Sequence, residues 1–128
     1  MDVSKVKFAE NSDKGAVLTV LDPTTDVPTD LKITLAGTDS AIYRNWVKNS
    51  INRKLGMKKN KKFSYEESEH SGVELLAALT LGWEGLEFEG KPVKFTTEQA
   101  YDLYADPNMK WLREQVDEFV ADRANFFL

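Results

Sequence analysis

The sequence predicts an α+β fold, mostly helical, with about four helices and two short antiparallel β-hairpins in one compact domain spanning residues 1–128. Three observations carry that expectation. AVLTVLD and LKITLAG alternate apolar and polar residues and are rich in β-branched side chains, the pattern of half-buried strands. Several longer stretches instead repeat their apolar residues at helical spacing. With 41% hydrophobic and 30% charged residues, the chain has the composition of a globular protein that buries a single core.

Residues 1–14 lack periodicity and are expected to be loosely held, as termini without a packing face usually are. AVLTVLD then reads as a strand, PTTDVPTD with its two prolines as a turn, and LKITLAG as a second strand with Leu31, Ile33 and Leu35 on one face. TDSAIYRNWVKNSINRKLG is the first long helix. Thr38 or Asp39 can cap it, Ile42, Tyr43, Trp46, Val47, Ile51 and Leu55 form its apolar stripe, and Gly56 ends it. MKKNKK is a polar linker, after which SYEE offers a capping box from Ser64 to Glu67. The helix begun there is polar at first and then apolar nearly all round in VELLAALTLGW, which predicts a central helix ended at Gly82.

LEFEGKPVKF predicts the second hairpin. A four-residue loop, 89–92, would place Phe88 opposite Val93, Leu86 opposite Phe95 and Glu87 opposite Lys94, the last a favourable cross-strand charge pair. A two-residue loop would lose those matches and put Pro92 in the ladder. TTEQAYDLYAD follows as a short helix capped by Thr96 with Gln99. DPNMKWLREQVDEFVADRANFFL is the last helix, with Asp106 as cap and Pro107 at its first position. Leu112, Phe119 and Phe126 share one heptad position, and Val120 and Phe127 share its neighbour, beside Val116. If the helix runs to the end, Phe126 and Phe127 fall on its buried stripe, with Leu128 beyond it.

A net charge of −4 argues against a dedicated nucleic-acid binder, whose phosphate contacts demand a basic balance. The absence of cysteine removes disulfides, thiolate metal sites and a thiol nucleophile. A polar opening and the lack of a long apolar run predict a soluble intracellular protein with no membrane partner.

No phosphate-binding glycine loop, nucleophile elbow or dinucleotide fingerprint occurs, so neither an enzyme nor a cofactor is expected. Glu66, His70 and Glu74 share one helical face at i, i+4 and i+8 spacing, which makes a metal geometrically possible. Carboxylates are also what a helix N-terminus favours, and a solvated face is the better reading. Arg53, Lys54, Lys58, Lys59, Lys61 and Lys62 form the one charge block. It reads first as a solvated loop and second as a docking patch, for instance for the acidic side of the last helix (Glu114, Asp117, Glu118, Asp122) in another copy. Trp46, Trp83 and Trp111 are expected as core or half-buried anchors, Trp83 wedged between helix end and hairpin.

From the central helix onward, LLAALTLGW, GKPVKFT, TEQAYDLYADP and WLREQVDEFVADRANFF stand in an order that resembles the tail assembly chaperones of long-tailed bacteriophages. LDPTTDVPTDLKITLAGTDSAIYR is similar to the start of such proteins, so the resemblance covers most of the chain. It implies a non-enzymatic assembly factor that binds the tape measure protein, keeps it soluble and promotes tail tube polymerisation around it. A longer, frameshifted form would engage the tail tube protein, and the factor would act in the host cytoplasm and be absent from the mature virion. NFFL can be encoded by A- and U-rich repeats on which a ribosome slips, which fits such a frameshift. The alternative is a structural virion component, a tail or head-to-tail joining protein. No motif assigns the client contacts. The apolar edge of the last helix, Trp111, Phe119, Phe126, Phe127 and Leu128, is the candidate partner surface.

Overall fold

Alternating β-branched residues build β1 (Ala16–Leu21), which pairs antiparallel with β2 (Pro28–Leu35), Leu18 facing Ile33 and Thr19 facing Lys32. A bulge after Thr19 resets the register so that Leu21 faces Pro28. The computed structural model describes residues 1–55 and 65–127. Among these are five α-helices, a three-stranded sheet and a two-stranded sheet in an α+β arrangement.

The third strand of the larger sheet lies where the sequence predicts helix. α3 (Tyr65–Leu79) stops short of Gly82, and Thr80–Glu84 forms β3, antiparallel to β2 with Ile33 facing Trp83. The order β1-β2-β3 makes β2 the central strand. A continuously apolar run suits a buried helix and a buried strand equally, and periodicity alone does not divide it. Here the second edge of β2 decides, because its N–H and C=O groups need partners. Helix passes directly into strand at Thr80, whose hydroxyl donates to the Leu76 carbonyl at 2.8 Å.

The small hairpin also departs from expectation. β4 (Glu87–Phe88) and β5 (Lys91–Pro92) pair with Phe88 opposite Lys91 and Glu87 opposite Pro92. The turn is therefore two residues, Glu89 and Gly90, at φ 51° and 77°, both left-handed as a type I′ turn requires. Pro92 is tolerated because the Glu87–Pro92 pair exchanges no N–H···O bonds in this register. The next ladder bond runs from Val93 N–H to the Leu86 carbonyl at 2.9 Å. The Glu87–Lys94 charge pair expected from the longer loop is accordingly not made.

Residues 8–14, in the stretch expected to be loosely held, form α1 (Phe8–Lys14). Its Ser12 is fully buried, and the Asp13 carboxylate accepts from the Ala41 N–H at 2.8 Å, at the start of α2 (Ala41–Leu55). A tertiary contact, with no local pattern behind it, holds this segment. The side-chain cap of α2 is Ser40, whose hydroxyl accepts from Tyr43 N–H at 3.2 Å, one position beyond Asp39 and two beyond Thr38, the caps read from the sequence.

Thr96 caps α4 (Thr97–Ala105) as expected, accepting from Gln99 N–H at 3.0 Å. Asp106 caps a 3-10 turn, Pro107–Met109, that leads into α5 (Lys110–Ala121). That helix buries Leu112, Val116 and Val120 but does not run to the end of the chain. Asp122 caps a new 3-10 turn, Arg123–Phe126, by accepting from Ala124 N–H at 3.0 Å. The expected capping box at Ser64 and Glu67 lies outside the described residues.

Val20, Ile33 and Leu35 of the sheet meet Leu79, Tyr104, Leu112 and Val116 of the helices in the core. Tyr104 is buried with its hydroxyl 2.8 Å from that of Thr80, so its polar atom is satisfied within the core. No helix among the described residues is long and apolar enough to cross a membrane.

Candidate functional site

A single glycine sets the geometry beside a largely apolar cleft. Gly85 follows β3 at φ 79°, and a Cβ there would lie 2.4 Å from the Asp30 carbonyl oxygen. Only glycine permits both the left-handed backbone and the close approach to β2. The chain turns away from the sheet at this point and projects the β4–β5 hairpin. Trp83 pins the hairpin's return: its indole N–H donates to the Val93 carbonyl at 2.9 Å, and its ring meets Phe95 edge-on at 4.9 Å. The expectation of Trp83 as a wedge between helix end and hairpin thus corresponds to a specific bond and an aromatic contact.

The projected hairpin faces α4 and the start of α5 across a cleft of about 480 Å³. Its apolar lining comes from the hairpin segment (Leu86, Phe88 and Val93), from the sheet (Val20 and Leu31), and from α4, α5 and the turn between them (Leu103, Met109, Trp111 and Leu112). Phe88 is 55% exposed, unusual for a phenylalanine with a core available nearby. The charged residues of the lining are Glu87, Asp102 and Asp106, all acidic. Among the described residues none of the three is paired with a cation. Asp106 is engaged as a cap, accepting from Asn108 N–H at 2.9 Å. A mostly apolar trough of this kind is equipped to bind apolar groups.

No protein-family model, curated protein or solved structure matches the chain.

The partner-surface residues read from the sequence separate into two places. Trp111 lines the groove. Phe119, Phe126 and Phe127 lie toward the far end of α5, where Phe119 is half-buried and packs edge-on against Phe126 at 5.8 Å. Phe126 is only 3% exposed and belongs to the interior. Phe127, freed from the stripe by the helix end at Ala121, is 55% exposed and stacks on Phe8 at 4.6 Å. Arg123 completes this clasp, its guanidinium 5.3 Å above the Phe8 ring and 3.0 Å from the Asp39 carboxylate. Leu128 lies outside the described residues. So do the side chains of Arg53 and Lys54, and the whole of Lys58, Lys59, Lys61 and Lys62.

His70 and Glu74 do lie close, with Nε2 3.7 Å from the carboxylate. On its other side the His70 Nδ1 is hydrogen-bonded to the Tyr101 hydroxyl of α4. Arg113 of α5 reaches Glu69 at 3.2 Å. Glu69, His70, Tyr101 and Arg113 line a second cleft of about 350 Å³, and the His70–Tyr101 and Glu69–Arg113 contacts fasten α3 to α4 and α5. The side chain of Glu66 lies outside the described residues, and no group of three or more metal-ligating side chains occurs among those described.

Sequence reasoning missed most of the groove. Its signal was the dipeptide Glu89-Gly90 between two very short apolar–polar pairs, which favours a tight projecting hairpin over a broad loop.

Proposed function

We propose that this chain is a tail assembly chaperone of a long-tailed bacteriophage, a non-enzymatic factor that binds the tape measure protein and keeps it soluble while tail tube subunits polymerise around it. The order of sequence features from the central helix to the C-terminal aromatic segment supports the reading. The structural observation that carries it is the open apolar trough between the β4–β5 hairpin and α5, with Phe88 and Trp111 both in its lining. A chaperone for a long client needs many modest, reversible contacts, and repeated copies along that client supply the avidity. A trough of this size, left unfilled by the protein itself, offers such a contact. In this reading the factor works in the host cytoplasm, self-associates along its client, reaches the tail tube protein through a longer frameshifted form, and leaves before the virion is complete.

Co-expression with the candidate tape measure protein tests the proposal. The expected result is a soluble client that co-purifies with this chain and aggregates without it. A client equally insoluble in both cases overturns the reading. Recovery of this chain from purified virions would instead make it a structural tail or joining component.

A further inference from the structure

The larger sheet has two edges, and they are guarded differently. On β3 the register slip against Thr34 and Leu35 leaves Leu81 as an extra residue, and Gly82 and Glu84 follow within the strand. A bulge, a glycine and a charge all discourage pairing with another chain. β1 carries none of these. AVLTVL has no charge, glycine or proline, and the extra residues at the β1–β2 bulge belong to β2. Leu21 faces Pro28, which has no N–H to give, so the Leu21 peptide groups point away from β2, where Gln115 meets them. Alternation along the strand turns the N–H and C=O of Val17 and Thr19 the same way. Among the described residues neither is bonded on that side, and Val17 is 56% exposed.

We infer that β1 is the docking edge for a second copy of this chain, pairing antiparallel with the same strand about a twofold axis at Leu18. In that register Val17 of each copy lies opposite Thr19 of the other, and the two pairs exchange four backbone hydrogen bonds. The ends of the strand select this occupant. Lys14 precedes β1 and Asp22 follows it, both without an ion-pair partner among the described residues. The twofold register brings Lys14 of each copy to Asp22 of the other, so opposite charges meet at both ends. Parallel pairing would instead set Lys14 beside Lys14 and Asp22 beside Asp22. The length fits as well. Gln115 already holds Leu21, and the residue this register places there is Gly15, whose φ of 83° turns the incoming strand aside. The contact is small, with Leu18 against its counterpart and Val17 partly covered, so the pairing is reversible. It goes beyond the chaperone reading and depends on no client.

Sedimentation equilibrium of the full chain, run from about 1 μM to 1 mM, reads the association. The expected result is a concentration-dependent equilibrium between monomer and dimer. Thr19→Pro removes an outward N–H that the chain's own sheet does not use. Its fold, followed by circular dichroism, should stay intact while dimerisation is lost. Reversing either charge, by Lys14→Glu or Asp22→Lys, is expected to weaken self-association roughly five- to tenfold, the scale of two exposed ion pairs. An equimolar mixture of those two variants should restore it, because each charge then meets its opposite across the axis. A chain that stays monomeric throughout, a dimer indifferent to Thr19→Pro, or a mixture no tighter than either variant alone overturns the inference. A monomeric chain whose capture of the tape measure protein is lost in Thr19→Pro also overturns it, by making the edge a client site. Should the dimer form as expected while the tape measure protein fails to co-purify, the pairing stands and the chaperone reading falls.

Discussion

Gln115 on α5 and Leu21 at the end of β1, 94 residues apart in sequence, exchange two hydrogen bonds through a single side-chain amide. The Leu21 N–H donates to Gln115 Oε1 at 2.9 Å, and Gln115 Nε2 donates back to the Leu21 carbonyl at 2.9 Å. The amide takes the place of a neighbouring strand's peptide group at the end of the sheet. It satisfies backbone groups left at the end of β1 and ties the last helix to the first strand.

Gln115→Ala is therefore expected to destabilise the fold by about 1–2 kcal/mol, two neutral hydrogen bonds at a partly exposed site. Thermal unfolding should show a midpoint several degrees lower. Glu114→Ala, on the exposed side of the same helix turn, serves as the control and is expected to shift it by less than about 0.5 kcal/mol.

Tyr104 predicts a defined alkaline limit. Burial pushes its hydroxyl up to about 12 from the ordinary 10.0, with the Thr80 hydrogen bond acting the other way. The folded chain thus holds this proton after the unfolded chain has released it. The associated stability is complete below pH 10 and falls as pH rises from 10 towards 12, by roughly 2–3 kcal/mol across that window. In Tyr104→Phe that part of the alkaline loss should vanish from denaturant titrations run between pH 9 and 12. Thr80 retains its bond to the Leu76 carbonyl in the variant, so the cost at neutral pH is expected to stay near 1 kcal/mol.

The two terminal phenylalanines should behave unlike each other. Phe126 is interior, and Phe126→Ala is expected to cost about 3–5 kcal/mol. Phe127 is half in solvent and makes one stacked pair with Phe8, so Phe127→Ala should cost about 1 kcal/mol. Chemical denaturation of both variants checks the order. Equal costs would mean that the helix continues through both residues, as the heptad pattern alone suggests.

Glycine substitutions separate the turn from the corner that aims it. Gly90→Ala is expected to cost about 1 kcal/mol, since its φ is 77° but no atom stands within 4 Å of an added Cβ. Gly85→Ala adds a Cβ 2.4 Å from the Asp30 carbonyl oxygen and forces the backbone apart, so a loss above about 2 kcal/mol is expected. Chemical shifts of Phe88 and Trp111 should move in Gly85→Ala and stay in place in Gly90→Ala.

The elements most legible in the sequence were those whose pattern is local and one-sided. Leu31, Ile33 and Leu35 alternate along β2 because one face is core, and Thr96 announces α4 because its cap lies three residues away. The α3–β3 boundary was illegible, because VELLAALTLGW is apolar on every side and only the free edge of β2 turns Thr80–Glu84 into strand. The start of the chain was illegible for a related reason. Phe8 has no periodic partners, and its place depends on Phe127 and Arg123 at the opposite terminus. Of the groove, Trp111 was singled out, but Phe88, Glu87 and Asp102 join it only through the corner at Gly85. Aromatic residues on α5 were grouped by sequence, whereas Trp111 and Phe119 stand about 12 Å apart along the helix and serve different neighbours.

Hydrogen–deuterium exchange of the full chain, alone and co-purified with the tape measure protein, addresses the central claim that the groove is the client surface. The account predicts slowed amide exchange at residues 86–93 of the hairpin and 109–112 at the start of α5, with the Phe8–Phe127 clasp unchanged. Protection confined to the clasp or to the outer face of α5, with the groove exchanging as in the free chain, would contradict it.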